Sequence, residues 1–326
     1  MPIEELLARI INITLQGLTM GMLFFLIAAG LSLIFGLMDV LNFAHGSLFM
    51  VGAYVALTTF WLLGGYPLSA IPAQQLGVLG FNTAPVLVAD TNLRFLSAVI
   101  VGTMTGLLVG TLVERGLIRP LYKRPIFQIL LTLGLVYVIA EVVKLIWGPA
   151  PLGMAKPALL TGTVDILGRA FPIYNIFIIL LGCVVMVVVY AILRRTRIGI
   201  IIRAGVEDRE MVQALGINVQ RVFTGVFALG AGLAALGGAA AVPFLGGMAP
   251  EYGMAFQLSA FVVVVIGGMG SFPGAFVGAL LVGLARAFAD YQLSPIIAQG
   301  IVVGMMALVL LVRPQGLLGR KKEGGH

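Results

Sequence analysis

Ile176-Phe177-Ile178-Ile179-Leu180-Leu181-Gly182-Cys183-Val184-Val185-Met186-Val187-Val188-Val189-Tyr190-Ala191-Ile192-Leu193 is an apolar run whose polarity does not alternate. A helix needs about 20 apolar residues to cross the hydrocarbon core of a bilayer, whereas a membrane β-strand alternates over a shorter segment. The run therefore reads as a membrane helix. The rest of the chain agrees, with 60% hydrophobic and 10% charged residues over 326 positions and a mean hydropathy of +1.10. A soluble domain carries roughly a quarter charged residues. The expected class is an all-α polytopic membrane protein.

Working outward, spans are expected near 14–36, 43–63, 93–114, 127–147, 173–193, 222–245 and 295–312. A broken hydrophobic stretch fills 257–290, interrupted by Gly267-Gly268-Met269-Gly270-Ser271-Phe272-Pro273-Gly274. It reads either as two short crossings or as one re-entrant hairpin, which brings the bundle to about 8–9 helices. No early segment pairs a basic region with a small-residue cleavage site, so the span starting near Thr14 is expected to stay as an anchor. No composition shift marks a second domain, and residues 1–326 are expected to form a single transmembrane domain.

The net charge of +7 is a topology signal rather than a nucleic-acid signal, because the basic residues cluster beside apolar runs. Arg115, Arg119, Lys123 and Arg124 follow the third span; Arg194, Arg195, Arg197, Arg203, Arg209 and Arg221 separate the fifth and sixth; Arg313, Arg320, Lys321 and Lys322 end the chain. An N-terminus outside and a C-terminus in the cytoplasm put all fourteen on the cytoplasmic side. The outside loops 64–92 and 148–172 are rich in Pro, Gly and Thr and are long enough for a small polar cap. Within the spans, Gly102, Gly106 and Gly110, Gly17 and Gly21, and Gly274 and Gly278 fall at four-residue spacing. Such small-residue stripes supply helix packing in lipid, where little hydrophobic drive is left.

The cytoplasmic segment 194–220 carries the clearest functional signal. Glu207 and Asp208 stand where a short helix is expected to start, favoured by its positive N-terminal end, and Gly216 supplies a C-terminal stop. Arg209, Glu210, Met211, Ala214 and Leu215 complete it, with Met211, Val212 and Leu215 forming one apolar patch. Such a patch needs a receiver, either lipid headgroups or a protein. The acidic start disfavours anionic lipid.

This segment resembles the coupling loop of ABC-importer permeases. Three further blocks resemble the branched-chain amino-acid permease family. They are Gly30-Leu31-Ser32-Leu33-Ile34-Phe35-Gly36-Leu37-Met38-Asp39-Val40-Leu41-Asn42-Phe43-Ala44-His45-Gly46 with Gly52-Ala53-Tyr54, then Gly267 to Ala275, then Val312-Arg313-Pro314-Gln315-Gly316-Leu317-Leu318-Gly319. The length and early first span look like the shorter of the family's two paired permeases. The resemblance implies a bacterial inner-membrane transport subunit for branched-chain or hydrophobic amino acids. It also implies a second permease, two ATPase subunits and a periplasmic binding protein as partners, with membrane lipid around the chain and no nucleic acid. ATP and magnesium are then held by the ATPases, and this chain binds no cofactor. The sequence agrees in having no G-x-x-x-x-G-K-[ST] loop.

Two helix breaks are the candidate pathway residues. Asp39, Asn42 and His45 sit beside Gly46, and Gly267, Gly268, Gly270, Pro273 and Gly274 form the later break. Polar groups and broken helices at membrane depth tend to line a path, although Asp39 or Asn42 could instead cap the following helix. Glu141 and Lys144 are three residues apart and placed to pair, or Lys144 to snorkel. The sequence shows no catalytic constellation and no metal set, with one Cys and two His. Related alternatives are import of urea or short-chain amides; a different class is a transporter driven by an ion gradient, which needs intramembrane carboxylates.

Overall fold

A computed structural model describes residues 3–38, 40–65, 87–207 and 209–319; the side chains of residues 198, 206, 207, 209, 210 and 295 lie outside that description. The order is α1 (Ile3–Met38), α2 (His45–Leu63), α3 (Thr91–Val113), α4 (Pro125–Trp147), β1 (Thr163–Ile166), β2 (Arg169–Pro172) and α5 (Ile173–Arg195). There follow α6 (Arg197–Glu207), α7 (Arg209–Ala214), α8 (Val219–Leu245), α9 (Tyr252–Gly267), α10 (Phe272–Gln292) and α11 (Pro295–Val312). Among the described residues, seven helices are long and apolar enough to cross a membrane, and α9 and α11 are shorter apolar helices. The all-α membrane class is thereby observed. Among the described residues the one sheet is the β1–β2 hairpin, closed by Leu167 and Gly168, both at positive φ as a tight two-residue turn requires.

The first helix is longer than expected. It begins at Ile3 rather than near Thr14, because Glu4 and Glu5 suit its first turn and no Pro or Gly interrupts it before Gly17. Its 36 residues span about 54 Å at 1.5 Å per residue, well beyond a hydrocarbon core of about 30 Å.

The chain divides into two compact units. The first comprises 1–39, 162–226 and 258–326, the second 40–161 and 227–257, so α8 and α9 each contribute to both. In the first unit α1 is the buried centre, with Leu23 to Ala29 almost wholly inaccessible. It packs antiparallel on α10 and the turn before it: a Cβ added at Gly17 would meet Leu284 at 2.9 Å, one at Gly21 would meet Ala279 at 2.8 Å, and one at Gly36 would meet Gly270, in that turn, at 2.8 Å. Phe25 meets Phe272 and Phe276 edge-on, at 5.6 and 5.1 Å. The stripe at Gly274 and Gly278 lies against Gly267 and Val263 of α9.

In the second unit, α2 is the centre. Gly102 of α3 faces Gly52 and Ala56, while Gly106 and Gly110 face Ala235 and Ala231 of α8. All three glycine stripes read from the sequence have therefore found close backbone partners. Tyr54 is fully buried and donates its hydroxyl to the Met248 carbonyl at 3.0 Å. Trp147 Nε1 donates to Thr58 Oγ1 at 2.7 Å, tying α4 to α2. Helices α4 and α5 bury few of their apolar side chains, as helices facing lipid do.

Candidate functional site

The cytoplasmic segment folds differently from expectation. Helix starts at Arg197, not near Glu207, and the segment is two helices, α6 and α7. The reason lies at the corner after α5. Thr196 Oγ1 accepts the Gly199 N–H at 3.2 Å, a first-turn cap. Arg203 Nη1 donates to the Leu193 carbonyl, one of those left open by the end of α5. Gly199 lies so close to the Leu193 carbonyl that an added Cβ would come within 2.1 Å of it.

Beyond α7 the chain stops as the sequence implied. Gly216 has φ +80, its N–H donates to Gln213 O at 2.9 Å, and Ile217 N–H donates to Val212 O at 3.3 Å. This pair of bonds is a Schellman stop. Replacement by Gly216→Val forces a β-branched residue into the left-handed region and should cost about 1–2 kcal/mol locally. Hydrogen exchange should show faster exchange at the amides of 216 and 217 with membrane insertion unchanged, and unaltered protection there would contradict this role for the glycine.

The apolar patch expected on α7 is divided. Val212 is 3% exposed and turned into the protein, whereas Met211 is 58% and Leu215 71% exposed. Ala214 is exposed beside them. Asp208 lies outside the described residues, as do the side chains of Glu207, Arg209 and Glu210.

The later helix break becomes a short turn between α9 and α10. Gly268 and Gly270 adopt φ of +105 and +79, while Gly267 ends α9 and Pro273 and Gly274 belong to the first turn of α10. Ser271 caps α10, accepting the Gly274 N–H at 3.1 Å, and Pro273 near the helix start lacks only an N–H that the helix leaves unused. The C-terminal block 312–319 folds onto this turn. Leu317 and Leu318 donate their N–H groups to the carbonyls of Ile266 and Gly267, at 2.9 and 3.0 Å, satisfying the open end of α9. Gly36, from the first block, faces Gly270. Three blocks far apart in sequence thus meet in one unit.

The earlier break lies in the other unit. Asp39 falls outside the described residues. His45 is buried and opens α2, and Gly46 presses on α9, where an added Cβ would sit 2.1 Å from Gly253 O. Asn42 Oδ1 accepts the Ala44 N–H at 3.0 Å. The Gly46 N–H is taken instead by Gln257 Oε1 at 2.6 Å, and Gln257 Nε2 donates to Asn42 O at 3.3 Å. Gln257 is the residue the sequence reading missed. A long amide inside the apolar run of α9 was the available signal, since lipid offers such a group no partner. Glu141 and Lys144 form an exposed ion pair at 2.9 Å.

The family model described as branched-chain amino acid transport system / permease component matches residues 13–311. The high-affinity branched-chain amino acid transport system permease protein LivH of Escherichia coli K12 is 30% identical over 311 residues, 94% of each chain. The corresponding protein BraD of Pseudomonas aeruginosa shows the same identity and coverage. The ribose import permease protein RbsC of Haemophilus influenzae is 28% identical over 240 residues, 70% of each chain. No solved structure matches the chain.

Proposed function

This chain belongs to the family of branched-chain amino acid transport system permease components, and from that premise we propose that it is a permease subunit of an ATP-driven ABC importer of branched-chain or other hydrophobic amino acids. It is a multi-pass protein of the inner membrane, with the N-terminus outside and the C-terminus in the cytoplasm. It transports and does not hydrolyse ATP; two partner ATPases hold ATP and magnesium. A second permease completes the path, and a periplasmic binding protein delivers substrate. Residues 1–326 act as one permease domain.

The observation that carries this reading is the near-complete alignment with permeases named for branched-chain amino acids, against the shorter alignment with a ribose permease. The α6–α7 segment supports it. A short helix that exposes Met211 and Leu215, in a segment with the acidic pair Glu207 and Asp208 at its start, suits a groove on another protein better than an anionic lipid surface. In the proposed cycle the ATPases close on ATP and pull α6–α7, and the bundle shifts between outward- and inward-facing states.

Pull-down of the tagged chain from detergent-solubilised native membranes should recover two ATP-binding subunits and a second permease, and the membranes should take up radiolabelled leucine. Recovery of this chain alone, under conditions that preserve known complexes, would favour a gradient-driven transporter and make Glu141 the residue to test.

A further inference from the structure

The first turn of α2 meets α9 through a small set of buried polar groups, all within one unit of the fold. The Gln257 side chain, on a residue only 6% exposed, bridges two backbone groups at the helix break: the Gly46 N–H, and the Asn42 carbonyl, which also accepts the His45 N–H at 3.4 Å. Both partners are backbone, so the orientation of the carboxamide is fixed; turning it over would set donor against donor and acceptor against acceptor. Asn42 is 1% exposed, and while its Oδ1 takes the Ala44 N–H, its Nδ2 has no hydrogen-bond partner. A buried donor left without an acceptor is costly unless something completes it in another state of the protein.

The groups that Gln257 satisfies match one class of ligand. A carboxamide offers an acceptor oxygen and a donor nitrogen on one carbon. A zwitterionic α-amino acid offers a carboxylate oxygen and an ammonium on adjacent atoms. The carboxylate can accept from Gly46 N–H and from the orphan Asn42 Nδ2, at the positive end of a 19-residue helix. The ammonium can donate to the Asn42 carbonyl. Apolar surface stands beside these groups: Phe49 stacks on Phe256 at 4.6 Å, and Met50 packs on Gly253.

We propose that the α1–α2 break, with Asn42, Gly46 and the facing Gln257, is a subsite for the α-carboxylate and α-ammonium of the transported amino acid, and that the Gln257 carboxamide occupies it when α2 and α9 are closed together. This rests on reading the chain as an amino-acid permease. In the closed arrangement there is no room for substrate, because Gly46 is pressed on Gly253 and on the Gln257 Cβ. Passage requires the Gln257 side chain to swing out as the two helices part, and the substrate takes over its two hydrogen bonds. The exchange keeps the backbone groups satisfied while a charged main chain moves through an apolar bundle.

Two nearly isosteric variants test this. Asn42→Asp keeps the oxygen that accepts from Ala44 and replaces the orphan donor with a second acceptor. Gln257→Glu keeps an acceptor for Gly46 and sets a negative charge where the substrate carboxylate belongs. The purified complex in proteoliposomes, supplied with its binding protein and radiolabelled L-leucine, should show uptake reduced at least tenfold in each variant. The complex should be recovered at wild-type yield, and the ATP hydrolysed per leucine moved should rise. Wild-type uptake in both variants would overturn the subsite. So would uptake falling only in step with the yield of complex, because the polar groups would then serve the fold alone. If the wild-type complex hydrolyses ATP but moves no leucine, the amino-acid reading fails first and the subsite falls with it.

Discussion

Gly238→Leu should leave little folded protein in the membrane. Gly238 lies on the part of α8 that packs on α2, and a Cβ added there would stand 1.9 Å from the Phe49 carbonyl oxygen and 3.1 Å from the Ala53 nitrogen. Both are backbone atoms of a helix, so no rotamer change relieves the clash. The helices must separate, and separation also withdraws the contact between Gly52 and Ala235, which are buried on the same interface. Overpacking of a side chain into a tight core costs about 1–3 kcal/mol, and more where backbone has to move. In lipid that loss is not recovered by hydrophobic association, since packing itself holds the helices together. A loss of this size lowers cellular abundance several-fold.

The control is Gly134→Leu on α4, where an added Cβ meets nothing within 4 Å. Leucine there should even gain helix propensity, by about 0.8 kcal/mol. Quantitative immunoblots of membranes, with size-exclusion profiles in detergent, should show Gly238→Leu depleted and Gly134→Leu near wild type. Equal levels of the two variants, whether both high or both low, would contradict the packing account.

The same contact shows where sequence reading stops. Lipid demands near-continuous apolar runs, so span positions were legible, and the ends at Pro125 and Ile173 carry their own helix-start chemistry. Glycine stripes were legible too, but a stripe does not name its partner. That Gly106 meets Ala235, and Gly21 meets Ala279, is settled by tertiary packing between segments far apart in sequence. Helix α6 escaped notice because a short helix rich in arginine and glycine reads as a linker until the Thr196–Gly199 and Arg203–Leu193 bonds are seen. At the α1–α2 break the sequence offered Asp39 and Asn42 as caps by proximity. The Gly46 N–H is instead satisfied from 211 residues away, and an amide in an apolar run marks Gln257 without naming its partner. The later break was legible as a break because Gly268 and Gly270 need positive φ; that the last block of the chain closes it was not.

Changing Met211 and Leu215 together to aspartate should reduce leucine uptake to less than a tenth while the protein still inserts at normal levels. The two side chains are the exposed apolar part of α7, and Val212, which holds the helix to its own protein, is left intact. Burying a Met or Leu side chain contributes about 1.5–3 kcal/mol. Losing two such contacts therefore removes at least about 3 kcal/mol, roughly a hundredfold in affinity at 1.4 kcal/mol per tenfold. An unpaired carboxylate forced into an apolar groove adds a desolvation cost of several kcal/mol. The ATPase subunits should accordingly be lost from the purified complex, and the conservative pair Met211→Leu with Leu215→Met should retain them. A helix resting on lipid headgroups predicts something else: two new acids would loosen α7 from the bilayer surface but leave ATPase recovery unchanged. The recovery of the ATPase, rather than uptake alone, therefore decides whether the exposed face of α7 meets protein or lipid.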